Sequence, residues 1–347
     1  MKDKKLIVFS AGGSGGHVFP AISLIDYFYN KYNFYFLTDS RCEYILKDKY
    51  NYQTVSSSAF PKNFFDLPRA MSKIFIGTFS CLRLLREVRP SIVIGFGGYV
   101  SIPAIIAAKI LKIPTVIHEQ NSVMGKANRF LSLFTNFVAL TYKNTKYVAK
   151  NKKIIFTGMP LRKEFYKKYN LTKSNKKRIL VIGGSQGTKF FSKLMRLLVK
   201  NLTKEEKKKI FIVQQVIEED KKEVENFYLE MKMNFRIETF FPEIFKELYN
   251  ADLVISRCGA STLEEISIFN KTCILFPLPN SAENHQLLNA LQFKKKNKSF
   301  IFLENNFEIN HFLKVVKSVI VKEQTQKEPA KRHNTGLSML IDSILEN

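Results

Sequence analysis

Tryptophan is absent from this chain of 347 residues, and cysteine occurs only four times, as Cys42, Cys81, Cys258 and Cys273. Scattered in this way, the cysteines form neither the close pairs of a metal site nor a disulfide framework, which fits a reducing compartment. No two aspartates are separated by a single residue, so the D-x-D metal clamp of many transferases is missing. Neither G-x-G-x-x-G nor G-x-x-x-x-G-K-[ST] occurs, which argues against dinucleotide and triphosphate binding. Long apolar runs are lacking as well. The opening run LIVFS meets a glycine loop after about six residues, too soon for a signal-peptide core. The uncharged stretch Ser91 to Ala108 is divided by Gly95, Gly97, Gly98 and Pro103 into a buried strand, a turn and a helix starting near Pro103, so no membrane-spanning segment is expected.

What is present is enough apolar sequence for two cores. Hydrophobic residues make up 45% and charged residues 24%, an ordinary globular balance, and the length exceeds what one core usually supports. Lys and Arg number 55 against 30 Asp and Glu, a formal charge of +25. Such an excess suits nucleic acid, anionic lipid or a phosphorylated substrate. An RNA-binding module is the reading from a different functional class, but the 31 Phe lie mostly in periodic apolar runs, and no RNP-like or zinc-knuckle motif occurs. No nucleic-acid partner is expected.

Short β-branched runs alternate with helical patterns: LIVFS then PAISLIDYFYNKY, FYFLT, SIVIGF then IPAIIAAKIL, and TVIHE. This order predicts a parallel sheet covered by helices. After the polar stretch Lys167 to Arg178 it begins again with RILVIGG, FFSKLMRLLVKNL, IFIVQQV, a helix after Glu218, FRIETFF, ADLVISR and KTCILFP. The expectation is an α/β chain of two Rossmann-like, doubly wound domains at residues 1–162 and 163–330. A closing helix within 331–347 is expected to pack back on the first domain through the stripe Leu337, Leu340, Ile341, Ile344 and Leu345. Ligands of open parallel sheets bind outside the strand carboxyl ends, so the sequence predicts a cleft lined by the glycine loops.

The first of these loops, Gly12-Gly13-Ser14-Gly15-Gly16-His17, offers backbone N–H groups at a helix N-terminus, a setting for anions. His17 at its end is a candidate general base. The apparent third strand ends in GFGGYVS and the next in His118-Glu119-Gln120-Asn121, whose donors and acceptors suit sugar hydroxyls and amides. In the second half, Gly183-Gly184-Ser185-Gln186-Gly187 repeats the anion loop, and Arg257-Cys258-Gly259-Ala260-Ser261-Thr262-Leu263-Glu264-Glu265 follows a strand. Amides and hydroxyls from Gly259 to Thr262 can hold a diphosphate, and a carboxylate one turn later can accept ribose hydroxyls. Leaving-group charge would then be met by amides, a helix dipole and Arg162, without metal or other cofactor.

Together, AGGSGGHVFPA, GFGGYVSIPA, IPTVIHEQNS, GMPLR, LVIGGSQG, ADLVISRCGASTLEE and ENHQLLNA resemble, in order and over nearly the whole chain, the MurG family. These are bacterial GT-B enzymes that move N-acetylglucosamine from UDP-N-acetylglucosamine to the 4-hydroxyl of the undecaprenyl-linked muramoyl-pentapeptide precursor of peptidoglycan, with inversion. The resemblance implies donor or sugar contacts at Ser14, Gly15, Gly16, Asn121, Arg162, Ser185, Phe241, Ala260, Ser261, Thr262, Leu263, Glu264, Glu265 and Gln286. Glu265 would hold the ribose, His17 would be the base and Glu119 an acceptor-side or base-supporting residue. Ser14, Cys258 and Phe241 depart from the residues common in the family. The competing enzyme reading is another GT-B protein, a lipid or sterol glycosyltransferase or a nucleotide-sugar epimerase. Peripheral attachment to an anionic membrane, at the cytoplasmic face of the inner membrane, is expected through Phe60 to Arg89. In that segment apolar residues alternate with Lys62, Arg69, Lys73, Arg83, Arg86 and Arg89, while some of Ile74, Phe75, Leu82 and Leu85 would face the core.

Overall fold

The computed structural model describes residues 4–28, 30–59, 64–149, 153–169, 175–184, 187–321 and 336–346. The chain forms two compact units, one running to Lys163 and taking in the last helix, the other Glu164–Arg332.

The first unit holds β1 (Leu6–Ser10), α1 (Gly15–Ile25), β2 (Asn33–Thr38), α2 (Glu43–Leu46), β3 (Tyr52–Thr54), α3 (Leu67–Val88), β4 (Ile92–Gly95), α4 (Ser101–Ile110), β5 (Thr115–Glu119), α5 (Lys126–Leu131), β6 (Phe137–Leu140) and β7 (Lys153–Phe156). Its seven strands lie in the order β3-β2-β1-β4-β5-β6-β7, and every pairing is parallel. Side-chain alternation sends Ile7, Phe9, Ile92 and Ile94 to one face, with Leu24 and Phe28, and Val8 and Val93 to the other, with Leu84, Ile105 and Leu131. Both faces of the sheet are thus covered, which is why its strands read as continuous apolar runs.

The second unit holds β8 (Lys177–Ile182), α6 (Lys189–Lys200), α7 (Lys204–Lys208), β9 (Ile210–Gln215), α8 (Lys221–Glu230), β10 (Asn234–Glu238), α9 (Ile244–Asn250), β11 (Leu253–Ser256), α10 (Ala260–Ser267), β12 (Thr272–Leu275), α11 (His285–Lys294), β13 (Ser299–Ile301) and α12 (Ile309–Val321). Its order, β10-β9-β8-β11-β12-β13, is also parallel throughout. In each sheet the direction of strand addition reverses beside the first strand, between β1 and β4 and between β8 and β11. At such a switch point the loops leaving the two strands diverge and open a crevice.

The final helix, α13 (Gly336–Glu346), buries Leu337, Ile341 and Leu345 in the core of the first unit. Asp342 accepts from Lys31 Nζ at 2.5 Å and Tyr32 Oη at 2.8 Å, and Gly336 N donates to Thr157 O at 3.0 Å.

Several sequence expectations shift. The first helix begins at Gly15, inside the glycine run, and ends at Ile25 instead of continuing to Tyr32. His17 therefore sits in its first turn. Pro20 lies within the helix, close enough to its start that little of the hydrogen-bond ladder precedes it. The next such helix starts at Ser101, two residues before Pro103. The strand ending at Gly95 is the fourth, because the short, polar β3 precedes it.

Candidate functional site

Each unit carries one constellation at its switch point. In the first, α1 is capped by extended Ser14 (φ −162°), whose side chain makes no capping bond, so Ser14, Gly15 and Gly16 present the helix N-terminus. His17 is half-buried, and its Nδ1 stands 2.7 Å from Gly12 O. A carbonyl oxygen can only accept, so Nδ1 carries the proton and the lone pair of the neutral ring is on Nε2. Burial lowers the His17 pKa from its ordinary value, against raising contributions from the Gly12 bond, Glu119 and Asp39; Arg41 lowers it further. The ring at neutral pH is thus the unprotonated, proton-accepting form.

The turn after β4 lies against this ring. A Cβ on Gly97 (φ +95°) would stand 3.2 Å from His17 Nε2 and 3.7 Å from Asn128 Nδ2. A Cβ on Gly98 (φ +74°) would sit 2.5 Å from Gly12 O, the carbonyl that holds His17. Only glycine permits both the left-handed backbone and these approaches.

The His118 to Asn121 run is mostly turned inward, a correction to the idea that all four residues offer polar groups to a sugar. Glu119 is buried, and both its oxygens are occupied: Oε1 accepts from Asn121 N at 3.0 Å and Asn121 Nδ2 at 3.2 Å, Oε2 from Gly125 N at 3.0 Å and Asn128 Nδ2 at 2.8 Å. Gln120 donates to Phe96 O. His118 donates from Nε2 to Gly158 O at 3.0 Å, and burial lowers its pKa to about 4. It stays neutral as a fixed internal strut. Arg162 places its guanidinium 5.9 Å from the centre of the Phe19 ring on α1.

In the second unit, Gly183 and Gly184 leave β8 and Thr188 caps α6 by accepting from Phe190 N; Ser185 lies outside the described residues. Gln215 fastens the loop, accepting from Gly183 N at 3.1 Å and donating to Gly184 O at 3.0 Å. After β11, Gly259 caps α10 without a side-chain bond, leaving the amides of Ala260, Ser261 and Thr262 at the helix start. The Leu263 side chain is buried and its N–H donates to Gly259 O at 3.0 Å. Glu264 and Glu265 are partly exposed on the same helix. Gln286 Oε1 accepts from Cys258 N at 3.1 Å and Leu278 N at 2.9 Å, tying the α10 turn to the loop after β12. Phe241 is nearly buried, with the Arg236 guanidinium 5.5 Å from its ring centre.

Two groups in these constellations had no assigned part in the sequence reading. Buried Arg257 pairs with Glu304 at 2.6 Å, donates to Thr188 Oγ1 at 3.3 Å and stacks over Phe190 and Phe191, so one cation braces both helix N-termini. Nothing in a lone arginine at a strand end announces this. Asp39 and Arg41, paired at 2.6 Å, border the first glycine loop. Among the described residues, no group of three or more His, Cys, Asp or Glu is placed to hold a metal ion.

Two Rossmann-like units, each with a glycine-rich loop at its switch point, are the architecture of the GT-B fold. The models of the glycosyltransferase family 28 N-terminal and C-terminal domains match residues 7–140 and 178–343. The chain is 36% identical over 358 residues, covering 99% of both chains, to the UDP-N-acetylglucosamine--N-acetylmuramyl-(pentapeptide) pyrophosphoryl-undecaprenol N-acetylglucosamine transferase of Rickettsia bellii. It is 35% identical to the protein of the same name from Prochlorococcus marinus, over 88% of this chain and 84% of that one. The crystal structure of Acinetobacter baumannii MurG superposes with a TM-score of 0.75 at 25% identity, over 99% of this chain and 100% of that one. A UDP-GlcNAc 2-epimerase from Methanocaldococcus jannaschii, at 12% identity and a TM-score of 0.65 over 99% of this chain and 100% of that one, shares the fold alone. The chain belongs to glycosyltransferase family 28 and, within it, to the MurG family.

Proposed function

We propose that this protein transfers N-acetylglucosamine from UDP-N-acetylglucosamine to the 4-hydroxyl of MurNAc-(pentapeptide)-pyrophosphoryl-undecaprenol, forming the disaccharide lipid precursor of peptidoglycan. The observation that carries the reaction type is the His17 tautomer: a neutral ring with Nδ1–H fixed on Gly12 O has its lone pair on Nε2, beside the Gly97 turn. His17 Nε2 takes the acceptor hydroxyl proton as that oxygen bonds to the anomeric carbon and the bond to UDP breaks. One displacement inverts the centre. The departing diphosphate charge falls to the α10 amides from Ala260 to Thr262, with Ser185 and Arg162, while Ser14, Gly15, Gly16 and Asn121 serve the acceptor and sugar side. Phe241 flanks the base, Gln286 the sugar, Glu265 the ribose, and Glu264 supports the helix start. Family membership favours this acceptor over those of other GT-B enzymes, and turnover of UDP-N-acetylglucosamine only in the presence of a short-chain lipid-linked acceptor is the direct test.

Glu265→Ala is expected to weaken UDP binding by about 1.5–3 kcal/mol, roughly 10- to 150-fold, since a carboxylate bonded to both ribose hydroxyls is a charge-assisted acceptor. Calorimetric titration of the folded variant with UDP measures it. Unchanged affinity would take Glu265 out of the donor site.

The same reading brings the protein to its lipid acceptor through α3. Met71, Phe75 and Phe79 repeat at intervals of four along this helix, and they are 61%, 73% and 66% exposed. Ile76 and Phe65 are exposed beside them, whereas Cys81, Leu84 and Leu85 on the other side are core. Of the residues given above as possible core, Phe75 is exposed, Ile74 and Leu82 are partly buried and Leu85 is fully buried. Arg69, Lys73, Arg83, Arg86 and Arg89 are exposed on the segment; Phe60 to Lys62 lie outside the described residues. No helix among the described residues is long and apolar enough to cross a membrane. We infer shallow insertion of the aromatic stripe into an anionic surface, at the cytoplasmic face of the inner membrane, with each cation contributing about 1 kcal/mol. Reversing Lys73, Arg69 and Arg83 to Glu should cut co-sedimentation with anionic liposomes by roughly 100-fold or more, and added salt should weaken the unmodified protein too. Equal binding to neutral and anionic vesicles would refute the electrostatic attachment.

A further inference from the structure

The turn between β2 and α2 reaches under the first glycine loop. Thr38 Oγ1 donates to Ala11 O at 2.8 Å. Asp39 is buried, and a Cβ on Gly12 would lie 3.0 Å from its Cγ and Oδ2. Gly12 is thereby wedged between the Asp39 carboxylate and Val100. Arg41 closes the arrangement. Its Nη2 meets Asp39 Oδ2 at 2.6 Å and would be 3.4 Å from a Cβ on Gly13, a point itself 3.8 Å from His17 Nδ1. The basic side chain therefore faces the imidazole across Gly13, and the acidic one presses on Gly12, whose carbonyl holds that imidazole.

We propose that the Asp39–Arg41 ion pair is a positioning device for His17, bracing the Gly12 carbonyl that fixes the ring and setting the charge balance beside it. The proposal rests on His17 acting as the base. The charged groups bearing on the ring are Glu119 from the end of β5 and Asp39 and Arg41 from this turn; Asn128, across Gly97, is uncharged. Asp39 and Glu119 favour the protonated ring and Arg41 disfavours it, so the pair sets two opposed influences on the ring. Removing either member shifts the ring in its own direction, and removing both leaves only the difference between the two.

The test is a histidine-selective NMR titration of the full-length chain, with the His17 resonance among the five histidines assigned by its loss in His17→Asn, alongside the pH profile of kcat/KM. Arg41→Gln should raise the His17 pKa, and the acid limb of the profile with it, by roughly 0.3–1 unit; Asp39→Asn should move both down by a similar amount. Arg41→Lys, which keeps the charge, should stay near the unmodified protein, and the double variant should return toward it. Arg41 is largely exposed, so Arg41→Gln tests the idea even if Asp39→Asn fails to fold. Single variants that leave the titration in place, or move it in one common direction, overturn the positioning role while leaving the base assignment intact. An acid limb that persists in His17→Asn overturns the base assignment, and the proposal with it. Foldedness is checked by circular dichroism at each pH below about 6.5, because His118, with a pKa of about 4, is protonated more readily in the unfolded chain and acid therefore favours unfolding.

Discussion

His17→Ala should lower turnover roughly 10²–10⁴-fold while UDP affinity stays within about twofold of the unmodified protein. The split follows from where the residue sits. His17 belongs to the first unit, and the α10 helix start and Glu265 belong to the second, so deleting the imidazole leaves those donor groups untouched. What is lost is a proton acceptor whose tautomer is already chosen, because Gly12 O holds the Nδ1 proton at 2.7 Å. Burial lowers the ring's pKa; protonation at low pH removes the lone pair, so activity should rise with pH through that lowered pKa and be fully developed at neutrality. His17→Gln is the sharper companion, since a neutral side chain that hydrogen-bonds without accepting a proton should be nearly as damaged. Turnover within a factor of about three of the unmodified enzyme in either variant would end the base assignment.

The sequence announced its parallel sheets because strands buried on both faces carry few polar residues. LIVFS, SIVIGF, TVIHE and RILVIGG all became central strands. The strands it did not announce are β3 with the sequence YQT, β6 with FVAL, β7 with KIIF and β13 with SFI. Three or four residues give no period to read, and β3, β7 and β13 lie at sheet edges, where one side of the backbone faces away from the sheet and composition is less constrained. The helix α6 was legible from the apolar periodicity of FFSKLMRLLVKNL, whereas the start of α1 was not, because it begins among glycines and carries Pro20 inside.

For the site, residue type pointed to the loops but not to what each side chain does there. His17 and Glu119 are both polar residues beside a strand end, yet one retains a lone pair by its pocket and the other spends both oxygens on its neighbours. That difference depends on the turn from Asn121 to Gly125 folding back over the strand end, a tertiary event with no local signature. Arg257 and Glu304, 47 positions apart and paired at 2.6 Å, illustrate the same limit: nothing nearby in sequence suggests either partner.

Glu119 is the position where the geometry predicts the largest effect on stability. Its carboxylate is buried and receives N–H bonds from Asn121 N, Asn121 Nδ2, Gly125 N and Asn128 Nδ2, which ties the β5 end, the following turn and α5 into one body. Glu119→Ala removes all four bonds at once; the buried Asn128 side chain keeps only its bond to His118 O at 3.2 Å, whereas half-buried Asn121 and exposed Gly125 regain part of theirs from water. Charge-assisted bonds are worth about 1.5–3 kcal/mol each, and buried donors left unpaired cost about 1–3 kcal/mol each. Local relaxation recovers part of that sum, so a loss of about 3–5 kcal/mol in the stability of the first unit is expected. Glu119→Gln should lose less. Its carbonyl still accepts from one pair of donors, while its amide N–H2 turns donor against donor toward the other. The measurement is the urea midpoint together with hydrogen exchange at the Asn121 and Gly125 amides, which should lose protection before the central strands if the carboxylate is what holds the turn. A Glu119→Ala protein within about 1 kcal/mol of the original, with those amides still protected, would show that the turn holds itself and would return Glu119 to consideration as a group that meets the acceptor directly.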